Sequence, residues 1–98
     1  MDISQMKDKA DKATALLKVM ANRSRLMILC NLLDGEKNVQ QLQQQVGLSQ
    51  SALSQQLAIL RGEKLVSTRR EAQSVFYSLA STEVETVIGT LYDLYCRP

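Results

Sequence analysis

Two cysteines, Cys30 and Cys96, are the side chains of this sequence with the strongest intrinsic chemistry. A thiolate reacts with oxidants and sulfur donors, and it also binds soft metal ions. The sequence has no histidine, which excludes a histidine general base, a cysteine–histidine nucleophile pair and every imidazole metal site. It also lacks a glycine-rich phosphate loop and paired acids beside a nucleophile, so we expect neither an enzyme nor a bound cofactor or metal.

Each cysteine also has an ordinary structural explanation. Cys30 lies among leucines and fits a small buried apolar residue, since free cysteines are commonly buried. Cys96 is near the end of the sequence and fits a tolerated tail residue. Their separation along the chain says nothing about their distance in space, so composition and spacing alone leave the two thiols unpaired.

A second group of functional side chains lies between Leu48 and Arg61, where serine and glutamine dominate and no acid occurs. At helical spacing, four of them lie on one side, which we call the polar face: Gln50, Ser51, Ser54 and Gln55. Serine and glutamine donate and accept hydrogen bonds, as base edges in the major groove require. A merely solvated helix normally carries Glu and Lys, so the absence of acids favours DNA binding over a solvated surface.

The polar face belongs to the second of two short helices predicted in residues 38–61. Asn38, followed by Gln41, predicts a capping box that starts the first helix, and Gly47 predicts the turn that ends it. Ser49 is the predicted N-cap of the second helix. The opposite side of this helix is apolar and expected to be buried: Leu53, Leu57 and Leu60. Two helices around a tight turn are typical of a helix-turn-helix, whose second helix reads the major groove.

Residues 65–79 predict a β-hairpin, because two alternating, β-branched stretches flank a short polar connection. Near its tip are Arg69 and Arg70, which suit contacts to phosphates or to the minor groove beside the recognition helix. Solvated charge is the alternative explanation for these two residues. Arg61, at the end of the polar helix, is expected to add a phosphate contact. Weaker candidates for backbone contacts are Arg23, Arg25, Lys37 and Lys64.

Two helices are predicted before the helix-turn-helix. Residues 3–20 carry apolar side chains at steps of three and four, which predicts an amphipathic helix. The stripe consists of Met6, Ala10, Ala13, Leu17 and Met20. Asn22 predicts the N-cap of a second helix over residues 23–33, which Gly35 ends. Its expected buried face is Leu26, Leu29, Leu32 and Leu33.

A last helix is predicted over residues 82–96, opened by a capping box of Thr82 and Glu85. Its broad apolar face consists of Val84, Val87, Ile88, Leu91, Leu94 and Tyr95. The core of a domain this small has too little surface to bury both this apolar face and the apolar stripe on residues 3–20. We therefore expect these two helices to form a homodimer, rather than to pack only within one protomer.

The 98 residues fit a single domain, residues 1–98, that is mainly α with a small β-hairpin in the order α-α-α-α-β-β-α. The net charge of +2 permits binding to a polyanion without requiring it. No stretch approaches the ~20 apolar residues that span a membrane, and the charged N-terminus lacks a secretory signal. We therefore expect a cytoplasmic protein with no membrane partner, whose cysteines are reduced by default.

Three stretches, LKVMANRSRLMILC, LSQSALSQQLAILR and EAQSVFYSL, resemble the ArsR/SmtB family of bacterial repressors. The SQSALSQ run and the final LYC resemble, more narrowly, the HlyU-type subgroup and its BigR-like and SqrR-like relatives. The resemblance covers essentially the whole chain. It implies a winged helix-turn-helix homodimer that regulates transcription from a pseudo-palindromic operator in promoter DNA.

The resemblance also gives the cysteines a role. In the subgroup, one cysteine on the second helix and one near the end of the last helix react with persulfides, polysulfides or oxidants. The bridged state then binds DNA less well. Cys30 and Cys96 match these positions, so the resemblance implies a dithiol switch for reactive sulfur species or oxidants. For HlyU-type members it further implies activation of virulence genes by displacement of a nucleoid-associated silencer.

Two features depart from the family pattern. Many members have histidine at the position of Gln56. Glutamine can still hydrogen-bond a base or a phosphate, so DNA binding is retained, but the preferred operator sequence can differ. The metal-binding motifs of other members, on the third helix or the last, are missing from this sequence. Because these motifs are missing, a metal- or metalloid-responsive repressor is only the second candidate function. A protein-interaction module that uses the polar face is the third.

Overall fold

The computed structural model describes residues 2–97, and their helices and strands follow the predicted winged helix-turn-helix order. The elements are α1 (Ile3–Met20), α2 (Arg23–Asn31), β1 (Lys37–Asn38), α3 (Val39–Val46), α4 (Gln50–Gly62), β2 (Val66–Glu71), β3 (Ser74–Leu79) and α5 (Thr82–Tyr95). This arrangement confirms the predicted fold class. One element, the two-residue strand β1, has no signal in the sequence pattern.

Side-chain caps fix both sides of the turn between α3 and α4. The backbone N–H of Gln41 donates to Asn38 Oδ1, and the backbone N–H of Asn38 donates to Gln41 Oε1, both at 2.9 Å. Gly47 has a φ of 77°, in the left-handed region that favours glycine. The backbone N–H of Ala52 donates to Ser49 Oγ at 3.2 Å. The predicted capping box, turn and N-cap are thus confirmed.

The sheet has the strand order β1-β3-β2, and both strand pairs are antiparallel. β2 and β3 form the wing, and only Ala72 and Gln73 lie between them. The sequence pattern predicts a three-residue connection, residues 71–73, which is one residue longer than the observed turn because Glu71 pairs with Ser74 and extends β2. Ala72 takes a left-handed φ of 54° to complete this tight turn.

The register of the sheet joins the wing to the start of α3. Asn38 on β1 and Arg69 on β2 both lie opposite Phe76, which is on the strand between them. Since side chains alternate along a strand, Arg69 and Glu71 are on one face of the sheet and Arg70 is on the other. The two wing arginines therefore point to different sides.

The core draws on all five helices and on the start of the wing. Its buried residues are Met20, Ile28, Leu29, Leu32, Leu42, Val46, Leu53, Leu57, Leu60, Leu65, Val66, Val84 and Ile88. The three leucines predicted to face inward from α4 are all among them. On α2 the predicted face is only partly correct, since Ile28 is fully buried while Leu26 and Leu33 are half-buried. α2 packs against α1, α3, α4 and α5, so it is covered on more than one side.

The end of α2 differs from the prediction. The helix stops at Asn31 rather than Leu33, because its last turn tightens. The backbone N–H of Leu33 donates to the carbonyl of Cys30 at 3.2 Å, a bond that spans three residues instead of four. The chain leaves the helix at this point and turns toward Gly35.

The start of α5 also differs from the prediction. Ser81, not Thr82, is the N-cap, since the backbone N–H of Val84 donates to Ser81 Oγ at 3.2 Å. Thr82 is already the first helical residue. The predicted capping box of Thr82 and Glu85 is therefore wrong, although the helix begins at the predicted position.

Candidate DNA-binding surface and thiol pair

The polar face of α4 points away from the core. All four of its residues are exposed. The leucines on the opposite side of the helix, Leu53, Leu57 and Leu60, are at most 2% exposed. Arg61, near the C-terminal end of α4, is exposed as well. A row of hydrogen-bonding side chains without acids thus faces solvent directly after a capped turn, as readout of a DNA groove requires.

Gln56 does not belong to this solvent-facing row. It is half-buried, and its Oε1 accepts a hydrogen bond from Arg25 Nη1 at 3.1 Å. Arg25, on α2, is half-buried too and is engaged within the protein rather than extended into solvent. Sequence patterns gave no indication of this pair, because its members lie on helices that are distant along the chain.

The two wing arginines have different surroundings. Arg69 donates from Nε and Nη2 to the carboxylate of Glu36 and from Nη1 to that of Glu71. Its guanidinium also lies 4.7 Å from the centroid of the Phe76 ring. The hydrogen bond from Arg69 lowers the pKa of Glu36, and the pKa of Arg69 is raised, mainly by Glu36. Arg70 is exposed and makes no ion pair with any residue in the range 2–97.

A groove of about 540 Å³ separates α4 from β3. Ser54 and Arg61 line one wall, and Tyr77 lines the other. The ring of Tyr77 packs against the core, so the residue is a fixed part of the groove. The groove joins the polar face to the wing, where a DNA backbone beside a recognition helix would lie. Tyr77 had no functional signal in the sequence beyond its place in the hairpin.

The structure places the end of α5, which carries Cys96, beside the pocket that Cys30 lines. Cys30 is half-buried on α2 and Cys96 is exposed at the end of α5, and both are free thiols. Burial raises the pKa of the Cys30 thiol, and the charge of Cys96 raises it further. The backbone N–H of Cys96 donates to the carbonyl of Tyr92 at 2.8 Å, and Tyr92 lies in the same pocket as Cys30.

This pocket has a volume of about 390 Å³, and Cys30 is one of its lining residues. Its lining is mixed, with the polar side chains of Asn31, Asp34, Lys37 and Gln45 beside Leu33 and Tyr92. The ammonium group of Lys37 donates to the carboxylate of Asp34 and thereby lowers the pKa of Asp34. The pocket gives a small polar reagent a path to the half-buried thiol.

The candidate DNA-binding residues and the thiols form separate sites, because the groove beside α4 and the pocket at Cys30 share no lining residue. In the part of the chain that the structure describes, no cluster of three or more Cys, His, Asp or Glu side chains is arranged to hold a metal ion. Of the helices in residues 2–97, none is long and apolar enough to cross a membrane.

Comparison with known proteins decides the family. Residues 22–68 match the model of the bacterial regulatory proteins of the arsR family. The chain is 55% identical over 97 residues to the transcriptional activator HlyU of Vibrio cholerae, covering 99% of this chain and 90% of that protein. The chain belongs to the ArsR family.

Other ArsR-type proteins agree with this assignment. The biofilm growth-associated repressor of Xylella fastidiosa is 38% identical, with 98% of this chain and 84% of that protein covered. The structure of reduced HlyU from Vibrio cholerae N16961 matches with a TM-score of 0.93 at 55% identity, covering 97% of this chain and 100% of that one. Since an activator and a repressor both match, this ArsR-family chain shares with them the regulation of transcription, and it is not an enzyme.

Proposed function

We propose that this ArsR-family chain is a homodimer that binds promoter DNA sequence-specifically and loses affinity when Cys30 and Cys96 become bridged. The observation that carries the DNA-binding part is the exposed polar face of α4, which has no acid and is held by a capped turn. Glutamine donates and accepts at once and can pair with an adenine edge, so these residues supply base selectivity.

Phosphate contacts supply much of the affinity and make it dependent on salt. We assign them to Arg61 and Arg70, which are exposed and have no ion-pair partner in residues 2–97. Arg69 belongs to the same proposed surface, but two carboxylates already balance its charge. Arg69 therefore contributes less than Arg70 to the salt dependence. Tyr77 is placed to add a hydroxyl contact from the groove wall.

The proposed dimer uses α1 and α5, which expose apolar side chains that the core does not use. These are Ile3, Met6 and Leu17 on α1, and Tyr92, Leu94 and Tyr95 on α5. A groove of about 520 Å³ between the two helices is lined partly by Ala13, Leu16 and Val87 and continues the apolar surface. A winged helix-turn-helix relative from Mycobacterium bovis is homodimeric and matches with a TM-score of 0.79. Two-fold symmetry would present two α4 helices to half-sites about one DNA turn apart.

The DNA-binding proposal is tested with a duplex that the wild-type chain selects from a randomised library. Gln50→Ala and Ser54→Ala are each expected to weaken binding to this selected duplex by about 5- to 150-fold, because each loses base-edge hydrogen bonds. Ser4→Ala, an exposed change on α1, serves as the matched control and should bind like the wild type. Unchanged affinity in both α4 variants would show that the polar face does not contact bases.

The proposed switch is a thiol exchange in two steps. The thiolate of Cys96, which is exposed, attacks a sulfur–sulfur bond of an inorganic polysulfide and expels a shorter polysulfide, leaving a persulfide on Cys96. The Cys30 thiolate then attacks the Cys96 sulfur and expels hydrosulfide, which leaves a Cys30–Cys96 disulfide. A bridge that keeps extra sulfur atoms forms in the same way from a longer chain. The raised pKa of Cys30 makes it the slower partner and suits it to the second step.

A bridge would tie the end of α5 to α2, and α2 packs against α3 and α4 of the DNA-binding module. We therefore expect polysulfide treatment to weaken DNA binding by about 5- to 150-fold, typical of such coupling. Cys30→Ser and Cys96→Ser should bind the selected duplex normally and ignore polysulfide. Mass spectrometry of the wild type after polysulfide or peroxide treatment, with no Cys30–Cys96 cross-link, would rule out the switch.

The HlyU relative is a transcriptional activator, which supports an activating role for this chain. We extend the proposal to activation of virulence genes by displacement of a nucleoid-associated silencer from promoter DNA. To compete with the silencer for promoter DNA, the chain needs only its proposed DNA-binding surfaces, the polar face and the wing. A footprint of a promoter coated with silencer should show its release by the wild type and not by Gln50→Ala. Silencer release by both proteins would contradict this route.

A further inference from the structure

One side chain, that of Arg25, joins three helices. Its Nε donates to the carbonyl of Val19 in the last turn of α1 at 2.6 Å, and its Nη1 donates to Gln56 on α4 at 3.1 Å. Its own backbone N–H donates to Asn22 Oδ1, the N-cap of α2, at 3.0 Å. The guanidinium therefore lies where the end of α1, the start of α2 and the middle of α4 meet.

Both acceptors suit a fixed guanidinium. The last carbonyls of a helix lack N–H partners and carry partial negative charge, so Val19 accepts well from a cation. The planar guanidinium presents its donors in a rigid fork, which sets the direction of Gln56 relative to Val19. Arg25 and Gln56 are both half-buried, so water competes less for these hydrogen bonds than it does at the surface.

We propose that Arg25 and Gln56 are positioning residues for DNA recognition, which fix the orientation of α4 against α1 without contacting a base. Gln56 stands on the recognition helix, yet its acceptor oxygen is occupied by Arg25 and its side chain lies between helices. Since α1 belongs to the proposed dimer interface, the pair also sets the angle at which each α4 leaves the dimer. This inference rests on the proposed reading of DNA by α4.

A positioning role and a base contact leave different marks on specificity. Loss of a base contact weakens discrimination at the one or two base pairs that the side chain touches. Loss of a positioning contact moves the whole polar face, so discrimination falls across the half-site. Binding to DNA of unrelated sequence depends on phosphate contacts and changes little.

The test measures affinity for the selected duplex and for each of its single-base variants. Gln56→Ala is expected to lose about tenfold in affinity, with discrimination reduced across the half-site. Gln56→Glu keeps an acceptor for Arg25 and should restore binding. The neighbouring Gln55→Ala is the comparison, and its loss should fall on one or two base pairs. Affinity for poly(dI-dC) and the thermal midpoint should stay close to wild type in Gln56→Ala.

Arg25→Lys provides the second arm, because lysine lacks the forked donors. Arg25→Lys should reduce discrimination at the same base pairs as Gln56→Ala. The double variant should bind the selected duplex no more weakly than either single variant. A Gln56→Ala loss confined to one base pair, no restoration by Gln56→Glu, or a further loss in the double variant would each overturn the inference. If Gln50→Ala and Gln55→Ala have no effect, reading of DNA by α4 fails instead.

Discussion

Glu36 and Arg69 fasten the loop after α2 to the wing, with Arg69 Nε 3.1 Å from Glu36 Oε2 and Nη2 bonded to Oε1. Glu71 and the ring of Phe76 hold the same guanidinium from β2 and β3. Arg69 thus links the loop after α2 to both strands of the wing. The loop that Glu36 occupies also carries Asp34, which lines the pocket at Cys30.

The two wing arginines are expected to differ in their share of the salt dependence. Arg70→Gln should reduce the slope of log affinity against log salt by about 1, because it removes one free charge from the phosphate contacts. Arg69→Gln should change the slope less, since Glu36 and Glu71 already balance that charge. The measurement is a titration of the selected duplex at several salt concentrations. Equal slope changes in both variants would show that Arg69 releases its carboxylates and binds phosphate.

The Glu36–Arg69 pair predicts a defined pH dependence. Hydrogen bonding from Arg69 lowers the pKa of Glu36 in the folded protein below the usual value of 4.5. The pair therefore stabilises the fold fully above pH 4.5, and this contribution is lost as the pH falls through the lowered value. Arg69→Gln should raise the pKa of Glu36 toward 4.5, measured from carboxyl carbon shifts by NMR.

Asp34 provides an internal control for this titration, because its pKa is lowered by Lys37 rather than by Arg69. Its titration should stay the same in Arg69→Gln. A Glu36 curve that does not move in the variant would show that Arg69 does not hold this carboxylate in solution.

Local signals allowed most of the fold to be predicted. Asn38, Gly47 and Ser49 act within three or four residues of their own positions, so their caps and turn follow from the sequence. The burial of Ile28 and the existence of strand β1 could not be predicted from the sequence. Helix α2, which carries Ile28, packs against four other helices, and β1 exists only by pairing with β3.

The same distinction holds for the candidate site. The polar face is set by the helical repeat within α4, and its predicted residues are indeed exposed. The Arg25–Gln56 and Glu36–Arg69 pairs join residues 31 and 33 positions apart, and no local pattern connects them. The contact between Arg69 and Glu36 depends on the tertiary fold, which brings the loop after α2 beside the wing.

Removal of Cys96 should make Cys30 more acidic. Two neighbouring thiolates repel each other, so Cys96→Ser removes a negative charge that raises the pKa of Cys30. The pKa of Cys30 should fall but remain above 9.0, because burial, the larger cause, is unchanged. The measurement is the rate of alkylation of Cys30 by iodoacetamide against pH, followed by mass spectrometry. Tyr95→Phe, which leaves both thiols in place, is the control, and an unshifted Cys30 curve in Cys96→Ser would contradict the predicted proximity.

Substitution of Gly47 tests whether the turn between α3 and α4 needs a left-handed backbone conformation. A Cβ at this position would meet no atom within 4 Å, but the φ of 77° strains any L-residue with a side chain. Gly47→Ala should therefore lower the free energy of unfolding by about 1 kcal/mol in urea denaturation. Gly62→Ala adds the same methyl group in α4, also without a neighbour within 4 Å, and should stabilise by about 0.5 kcal/mol. Equal effects of the two substitutions would mean that Gly47 does not adopt the left-handed turn.

The proposed dimer predicts that substitutions on the apolar stripe of α1 disrupt the dimer and that substitutions outside the stripe do not. Leu17 is 56% exposed and lies on the apolar stripe, whereas the exposed Lys18 lies outside the stripe, about 100° further around the helix. Leu17→Glu buries a charge in the proposed interface and should give monomers in sedimentation equilibrium at concentrations where the wild type is a dimer. Lys18→Glu changes charge at the next position and should remain dimeric.

DNA binding should follow the oligomeric state. A dimer holds two α4 helices about 34–36 Å apart and gains from engaging both half-sites at once. Leu17→Glu should therefore lose affinity for a duplex with two half-sites, and should bind a single half-site as the wild type does. A monomeric Leu17→Glu with full affinity for the two-site duplex would show that each protomer reads DNA on its own. Dimers that persist in Leu17→Glu would place the interface away from the exposed stripe of α1.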